Sequence, residues 1–470
     1  MWPSYGLGMR RSASIAIVAL LAGCTATQPA ASPAPSAPVI APPQAGYPAG
    51  KSAPVADPVY PGFGNPAIDV LHYGLSLAWA PETGTLSGTA TVTMRAVSEQ
   101  PQIRLDFSSA YRIENVTVDG AVHSGTVDGT KLTVPSSLTA GKQTVLVVKY
   151  AGKPQPVTMP SHRPDGGTLG LHPVPGGALW TMQEPYGAFT WYPVNDQPSD
   201  KALYDITISV PEGWSAVASG TPVPGKGFTY HSADPVASYL TTLAVGKYQH
   251  EVVAGPRGLP VHLWTRAKDG HHLPGLRRSP ALLTWLEERL GPYPFPTAGV
   301  VLVDGTSGME TQQMVTLSGG ISQAQLEPVL LHEYAHHWFG NTVTPSTWKD
   351  VWLNEGWATY TQWLYQGGLS ERIKEARAQD GALRAQAGPP GNPNPGNFAE
   401  RNVYYCTALL LHEIHQALGD EKFFGLAKAW VQEHRNSVQD RAAFTAFVNR
   451  HTGRDFKPLI DKWLDSPTTP

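Results

Sequence analysis

From Asp69 to about Val253, apolar and polar residues alternate in short runs broken by turn residues. Leu86–Met94 (LSGTATVTM), Thr144–Tyr150 (TVLVVKY) and Tyr204–Val210 (YDITISV) put every second side chain on one face, the period of a half-buried strand. Glu82-Thr83-Gly84 and Asp119-Gly120 supply turns between such runs. The pattern predicts an antiparallel β-sandwich or saddle-shaped sheet. After Gly258 the texture changes. Leu259–Arg266 and Val300–Val303 read as strands, while Pro280–Leu290 has helical spacing and stops at Gly291. Helices are predicted over about Gln325–Phe339, Leu353–Tyr365, Ala408–Leu418, Lys422–His434 and Arg441–Val448. The loop Gly388–Asn397 (GPPGNPNPGN) separates the second of these five from the third. Strands followed by helices make an α+β multidomain chain, with a β domain over 62–253 and a mostly helical domain over 254–470.

The upstream pattern differs. Arg10 and Arg11 precede the apolar run Ile15–Leu21 and then Ala22-Gly23-Cys24. About a dozen apolar or small residues cannot cross a bilayer, which takes roughly 20, and the layout is that of an export signal over 1–23, with Met1 or Met9 as its start. Leu21-Ala22-Gly23-Cys24 also resembles the bacterial lipobox. That resemblance implies cleavage before Cys24, acylation of its thiol and an exported body lipid-anchored to the cell envelope. Residues 24–61, rich in Pro, Ala and Ser, predict an extended, mobile tether.

Composition narrows the function. The 470 residues are 41% hydrophobic, enough for two packed domains. Lys+Arg number 34 against 37 Asp+Glu, a formal charge of -3, which gives nucleic acid no electrostatic footing. Cys24 and Cys406 are the only cysteines, so with Cys24 lipidated the exported body must be stable without disulfides. Nothing fixes an oligomeric state, and a monomer is the expectation.

The strongest chemical signal is His332-Glu333-Tyr334-Ala335-His336. Four residues apart on a helix, the two imidazoles share a face and can reach one metal ion. Glu333 lies beside the metal, placed to act as general base. A chance helical His pair with a solvated Glu would explain these five residues alone. Glu355, in Asn354-Glu355-Gly356, follows His336 after a gap of eighteen residues, room for one helix to end and another to return. Two His and one carboxylate leave a fourth position open for water, the arrangement of catalytic rather than structural zinc.

His332–Gly340 (HEYAHHWFG) and Asp350–Tyr360 (DVWLNEGWATY) resemble the gluzincin aminopeptidases, the family of aminopeptidase N and leukotriene hydrolase. The resemblance runs from about Asp69 to Leu464. It implies a thermolysin-like catalytic domain behind the β domain, one Zn2+ ion, and hydrolysis of the N-terminal bond of peptides with a free N-terminus. Ser307-Gly308-Met309-Glu310-Thr311 resembles the family motif Gly-Ala-Met-Glu-Asn. By position, Glu310 binds the substrate amine, and Gly308 and Met309 line the strand that holds the peptide backbone. A buried carboxylate at a fixed distance from the metal selects a cationic N-terminus. Thr181–Pro198 resembles the stretch that sends a β-domain Glu into the site. Aligned back from Pro193, Asp196 and Pro198, that residue is Glu184, with Met182 where many members carry Gln. Val403–Leu411 (VYYCTALLL) resembles Val-Tyr-x-Lys-Gly-Ala, making Tyr404 the phenol that donates to the developing oxyanion, with Cys406 and Thr407 in place of Lys and Gly. Asp350, Asn354 and Thr359 match positions beside the zinc helices, where partners orient metal ligands.

Few residues follow Leu464, too few for the large C-terminal helical domain of many members, so a more open cleft is expected. Two other functions fit parts of the pattern: an endopeptidase or other hydrolase on the same zinc centre, and a non-catalytic surface lipoprotein that binds peptides.

Overall fold

The computed structural model describes residues 49–163 and 167–470. Cys24 and the expected signal segment lie outside the described residues. Among those described, no helix is long and apolar enough to cross a membrane.

An eight-stranded sheet forms the backbone of the β-rich part. Its centre is Ile68–Ala80, paired antiparallel with Thr85–Ala96, which pairs in turn with Gln143–Gly152. On its other side Ile68–Ala80 pairs with Lys201–Ser209 in parallel, so the sheet is mixed rather than purely antiparallel. Alternation along these strands says which face is buried, not which neighbour a strand chooses, so the parallel pair had no local sign. A five-stranded sheet includes Leu179–Met182, which delivers the chain to Gln183 and Glu184.

A further five-stranded sheet begins the second, mostly helical part, in the order Tyr248–Ala254, Pro260–Arg266, Ala298–Val303, Val315–Ser318, Gly308–Met309. The two residues Gly308 and Met309 are its edge, paired antiparallel with Leu317 and Thr316. Ala298–Val303 is buried throughout, as expected of a strand between two parallel neighbours. Helices then follow at Gln323–Ala335, Trp352–Gln366, Leu369–Ala387, Arg401–Leu418 and Asp420–Glu433, with two shorter ones at Arg441–Thr452 and Lys457–Asp465. Most buried apolar residues of the sheets and helices join in one core, and Val217, Ala244, Trp264, Val301, Val303 and Met314 form a second, small cluster.

Three expectations need correction. Leu369–Ala387 is a nineteen-residue helix where the sequence pattern suggested none before the Pro/Gly-rich loop. Its buried stripe is Ile373, Ala376, Asp380, Arg384 and Ala387, which has helical spacing but little apolar content. The middle of the stripe is an ion pair, Arg384 Nε to Asp380 Oδ2 at 2.9 Å with both side chains wholly buried, and hydrophobic periodicity does not register it. Arg401–Leu418 starts a full two turns before Ala408, since its first turns carry Arg401 and Asn402 and two half-buried tyrosines. The tether expected up to Pro61 is bonded to the body over its last part. Ser52 N donates to Asp69 Oδ1 at 3.0 Å, Asp57 Oδ2 accepts from Trp348 N at 2.6 Å, and Tyr60 OH donates to Pro395 O at 3.0 Å.

Candidate active site

Helix Gln323–Ala335 starts at Ser322, in extended conformation, and carries His332 and Glu333 on its last turn, with His336 capping it. Gly340 then turns the chain at φ +133°, a conformation that favours glycine, and its Cα packs against Asn354. The chain returns as helix Trp352–Gln366, with Glu355 in its first turn, where the helix dipole favours a carboxylate. Phe339 and Trp357 stack at 4.2 Å and lock the two helices together.

This crossing brings the ligand atoms of His332, His336 and Glu355 within 4.8 Å of one another. Glu355 Oε2 lies 3.3 Å from His332 Nε2 and 3.4 Å from His336 Nε2. Tetrahedral zinc, about 2.0–2.1 Å from each donor, separates donors by about 3.3–3.4 Å, so the three residues fit the ion. His336 Nδ1 faces Phe339 O at 3.2 Å. A carbonyl only accepts, so Nδ1 carries the proton and the Nε2 lone pair points at the site. Burial opposes charge on both groups, yet Glu355 is held below the usual carboxylate range by His336 and His332, while Glu355 and Glu310 carry His336 up to about 10. A site that so favours positive charge suits a cation.

A cleft of about 680 Å³ opens above these donors. Glu333 lines it, 7% exposed, and Glu310, Glu333 and His336 also have donor atoms within 4.8 Å of one another. Burial pushes Glu333 well above the carboxylate range; Glu310, Glu355 and Glu184 add to this and His336 opposes it. Gly308 on the edge strand makes room for this side chain, because a Cβ there would collide with the Glu333 carboxylate. Tyr404 lines the same cleft from helix Arg401–Leu418, its ring stacked 6.1 Å from His332 at 20°. Thr407 packs against Gly356, where a Cβ would lie 2.6 Å from its Oγ1, so the larger residue fits because the facing helix has none. Cys406 is buried and free, facing the Asp380–Arg384 pair rather than the cleft.

Glu184 and Glu310 line the same cleft. Glu310 follows the edge strand, and Asn341 Nδ2 holds its backbone oxygen at 2.8 Å. Glu184 is 2% exposed and Glu310 3%. The loop beyond Glu184 is pinned by Asp196 Oδ2, which accepts from Gly187 N at 2.9 Å and Phe189 N at 3.2 Å. Gln183 is committed elsewhere, donating to Ser238 O at 2.8 Å and Thr241 O at 2.7 Å and accepting from Trp191 Nε1 at 2.9 Å. Met309 lines the cleft and, with Met182, an adjoining recess of about 230 Å³.

The remaining predicted residues divide. Thr359 lines the cleft. Asn354 Nδ2 donates to Tyr239 OH at 3.2 Å, and that phenol donates to Gly340 O at 3.2 Å, which fixes the turn between the two histidine-and-glutamate helices. Asp350 has a different task from orienting ligands: it accepts from Trp352 Nε1 at 3.3 Å and Arg441 N at 3.1 Å, joining the Glu355 helix to the C-terminal helices. Sequence reasoning missed Arg163, Tyr239 and Asn341. Each acts across a large sequence separation and belongs to no motif of its own.

Known proteins bear on this geometry. The Peptidase M1 N-terminal domain matches residues 70–231, and the Peptidase family M1 domain matches residues 276–463. Aminopeptidase N of Streptomyces lividans is 25% identical over 438 residues, 85% of this chain and 50% of that protein, so the chain spans about half its length. Leukotriene A-4 hydrolase of Xenopus laevis is 23% identical over 448 residues, covering 86% and 72%. The crystal structure of an M1 zinc metallopeptidase mutant from Deinococcus radiodurans, bound to a Tyr-Ser-Ala substrate, matches with a TM-score of 0.77 at 27% identity, over 89% of this chain and 99% of that one. With both domains of one family matched in chain order, and a zinc-competent site built by the second, the chain belongs to peptidase family M1, a family of zinc metallopeptidases.

Proposed function

We propose that this protein is a zinc aminopeptidase that releases the N-terminal residue of peptides. One observation carries the reading: two buried carboxylates, Glu184 and Glu310, sit at one end of the metal cleft, and each has an oxygen with no hydrogen-bond partner. A buried carboxylate oxygen without a donor is costly unless a cation arrives to satisfy it. A peptide's α-ammonium is such a cation, and it would set the first peptide bond over the metal site.

The ion held by His332, His336 and Glu355 would supply a Lewis acid and a water of lowered pKa. The chain's own residues do the rest. Gly308 and Met309 present an edge strand to the substrate backbone. Glu333 draws a proton from the attacking water as its oxygen bonds to the carbonyl carbon, then delivers a proton to the leaving nitrogen as the C–N bond breaks. Tyr404 OH donates to the carbonyl oxygen as it gains charge. The test is a panel of aminoacyl-coumarin substrates with and without a chelator. Release of coumarin that stops on chelation and returns with zinc is expected; chelator-insensitive release, or none from any substrate, overturns the reading.

We also propose export and lipid anchoring at Cys24, supported by the basic pair, the apolar run and Leu21-Ala22-Gly23-Cys24. Metabolic labelling with palmitate should mark the protein, and Cys24→Ser should leave it unlabelled and off the membrane. Label on the Cys24→Ser protein would rule the assignment out.

A further inference from the structure

The amine end of the cleft contains a cation that no motif pointed to. Arg163 follows the short strand Val157–Thr158, and its Nη1 donates to Glu184 Oε2 at 3.0 Å, with the two side chains 8% and 3% exposed. The stretch carrying it is tied to the loop Gly388–Asn397, His162 N donating to Gly396 O at 2.9 Å. Arg163 and Glu184 both line the cleft, with Glu310, Glu333 and Glu355. Resting on the aminopeptidase reading, we infer that Arg163 is a positioning residue, holding Glu184 by one oxygen so that the other is presented, beside Glu310, to the substrate's α-ammonium.

The reasoning is one of charge and of hydrogen-bond direction. Glu184, Glu310, Glu333 and Glu355 crowd four carboxylates into one buried site. Like charges so close favour taking up a proton. A protonated Glu184 would turn an acceptor into a donor facing an ammonium, which itself only donates. Arginine does not lose its proton in proteins, and its planar fork fixes the carboxylate it binds. It therefore favours the ionised form of Glu184 and aims its carboxylate. The balance is visible at Glu184: burial, with Glu310 and Glu355 adding, leaves it raised to about 8, and Arg163 is the group that opposes the rise. Arg163 leaves Oε1 of Glu184 without a partner, which is the geometry of a holder rather than a plug. A guanidinium that plugged the subsite would have to be displaced by the substrate, and its removal would tighten binding.

The two pictures separate in steady-state kinetics of the zinc-loaded enzyme on one aminoacyl-coumarin. Arg163→Met should raise KM about 10-fold while kcat stays within about 3-fold, the signature of lost ground-state grip. Arg163→Lys, which keeps the charge without the fork, should recover most of that loss. Glu184→Gln should weaken binding by itself, and adding Arg163→Met to it should cost less than about 2-fold more, because the arginine acts through that carboxylate. If Arg163→Met does not fold, Arg163→Gln carries the same expectation. An unchanged or lower KM in an active Arg163→Met or Arg163→Gln protein overturns the inference, and so do losses that multiply fully in the double variant. A wild-type protein that releases no N-terminal residue sinks the aminopeptidase reading instead, so the two failures are distinguishable.

Discussion

The two ends of the cleft are built in opposite ways. The metal end comes from two helices close in sequence, with His332 and His336 one turn apart and Glu355 on the next long helix. The amine end is gathered from two regions far apart in sequence: Arg163 and Glu184, the latter after a strand of the β-rich part, and Glu310 after the edge strand of the later five-stranded sheet. Helical spacing fixes the first geometry almost by itself. The second exists only when the sheets are docked, and Tyr239, Asn341 and Lys201 stitch them there. A site divided this way can lose chemistry without losing grip, and the reverse.

That division can be broken experimentally. The largest effect belongs to Glu333→Gln, which should lower kcat about 10³-fold. Zinc should stay at one ion per chain by metal analysis, since Glu333 is not among the three donors; loss of the ion would join what we separate. Tyr404→Phe should lower kcat by about 10²-fold with KM little changed, because its hydrogen bond strengthens only as the oxyanion forms. A KM effect as large as the kcat effect would make Tyr404 a binding residue. At the other end, Glu310→Gln should lower kcat/KM by about 10- to 100-fold, the cost of one charge-assisted bond, and leave zinc content untouched.

The smallest effect probes the stitching. Lys201 Nζ is buried and donates to Asn341 O at 2.7 Å and Thr342 O at 3.2 Å. Burial, which Asp234 opposes, takes it down from 10.5 to about 7. Between those values the unfolded chain holds the proton that the folded chain has released. Stability from this residue therefore rises with pH between about 7 and 10.5, by at most about 1.4 kcal/mol per pH unit. Urea unfolding at pH 7.5 and 9.5 should show a less positive pH dependence in Lys201→Met than in wild type. Equal slopes would mean the amine stays charged when folded.

What could be read from the sequence follows the same line. The histidine pair, Glu333 and Glu355 carried their geometry in their spacing, and Tyr404 and Glu310 came from short segments with a recognisable pattern. Glu184 needed an alignment back from Pro193, because Gln183 beside it looks equally suited until its amide is seen bonded to Ser238 and Thr241. Arg163 had no local sign at all. Helix Leu369–Ala387 was hidden because its buried stripe contains an Arg–Asp pair, and the end of the Pro-rich stretch because Asp57 and Tyr60, not its prolines, anchor it. In each of these the deciding contact is polar, and hydrophobic periodicity carries no information about it.

The most direct test of a cleft with one metal end and one amine end is a single peptide offered with a free and with an acetylated N-terminus, its products read by mass spectrometry. The account predicts stepwise loss of the first residue from the free peptide and no cleavage of the acetylated one. Internal cleavage of both peptides at equal rates would contradict it.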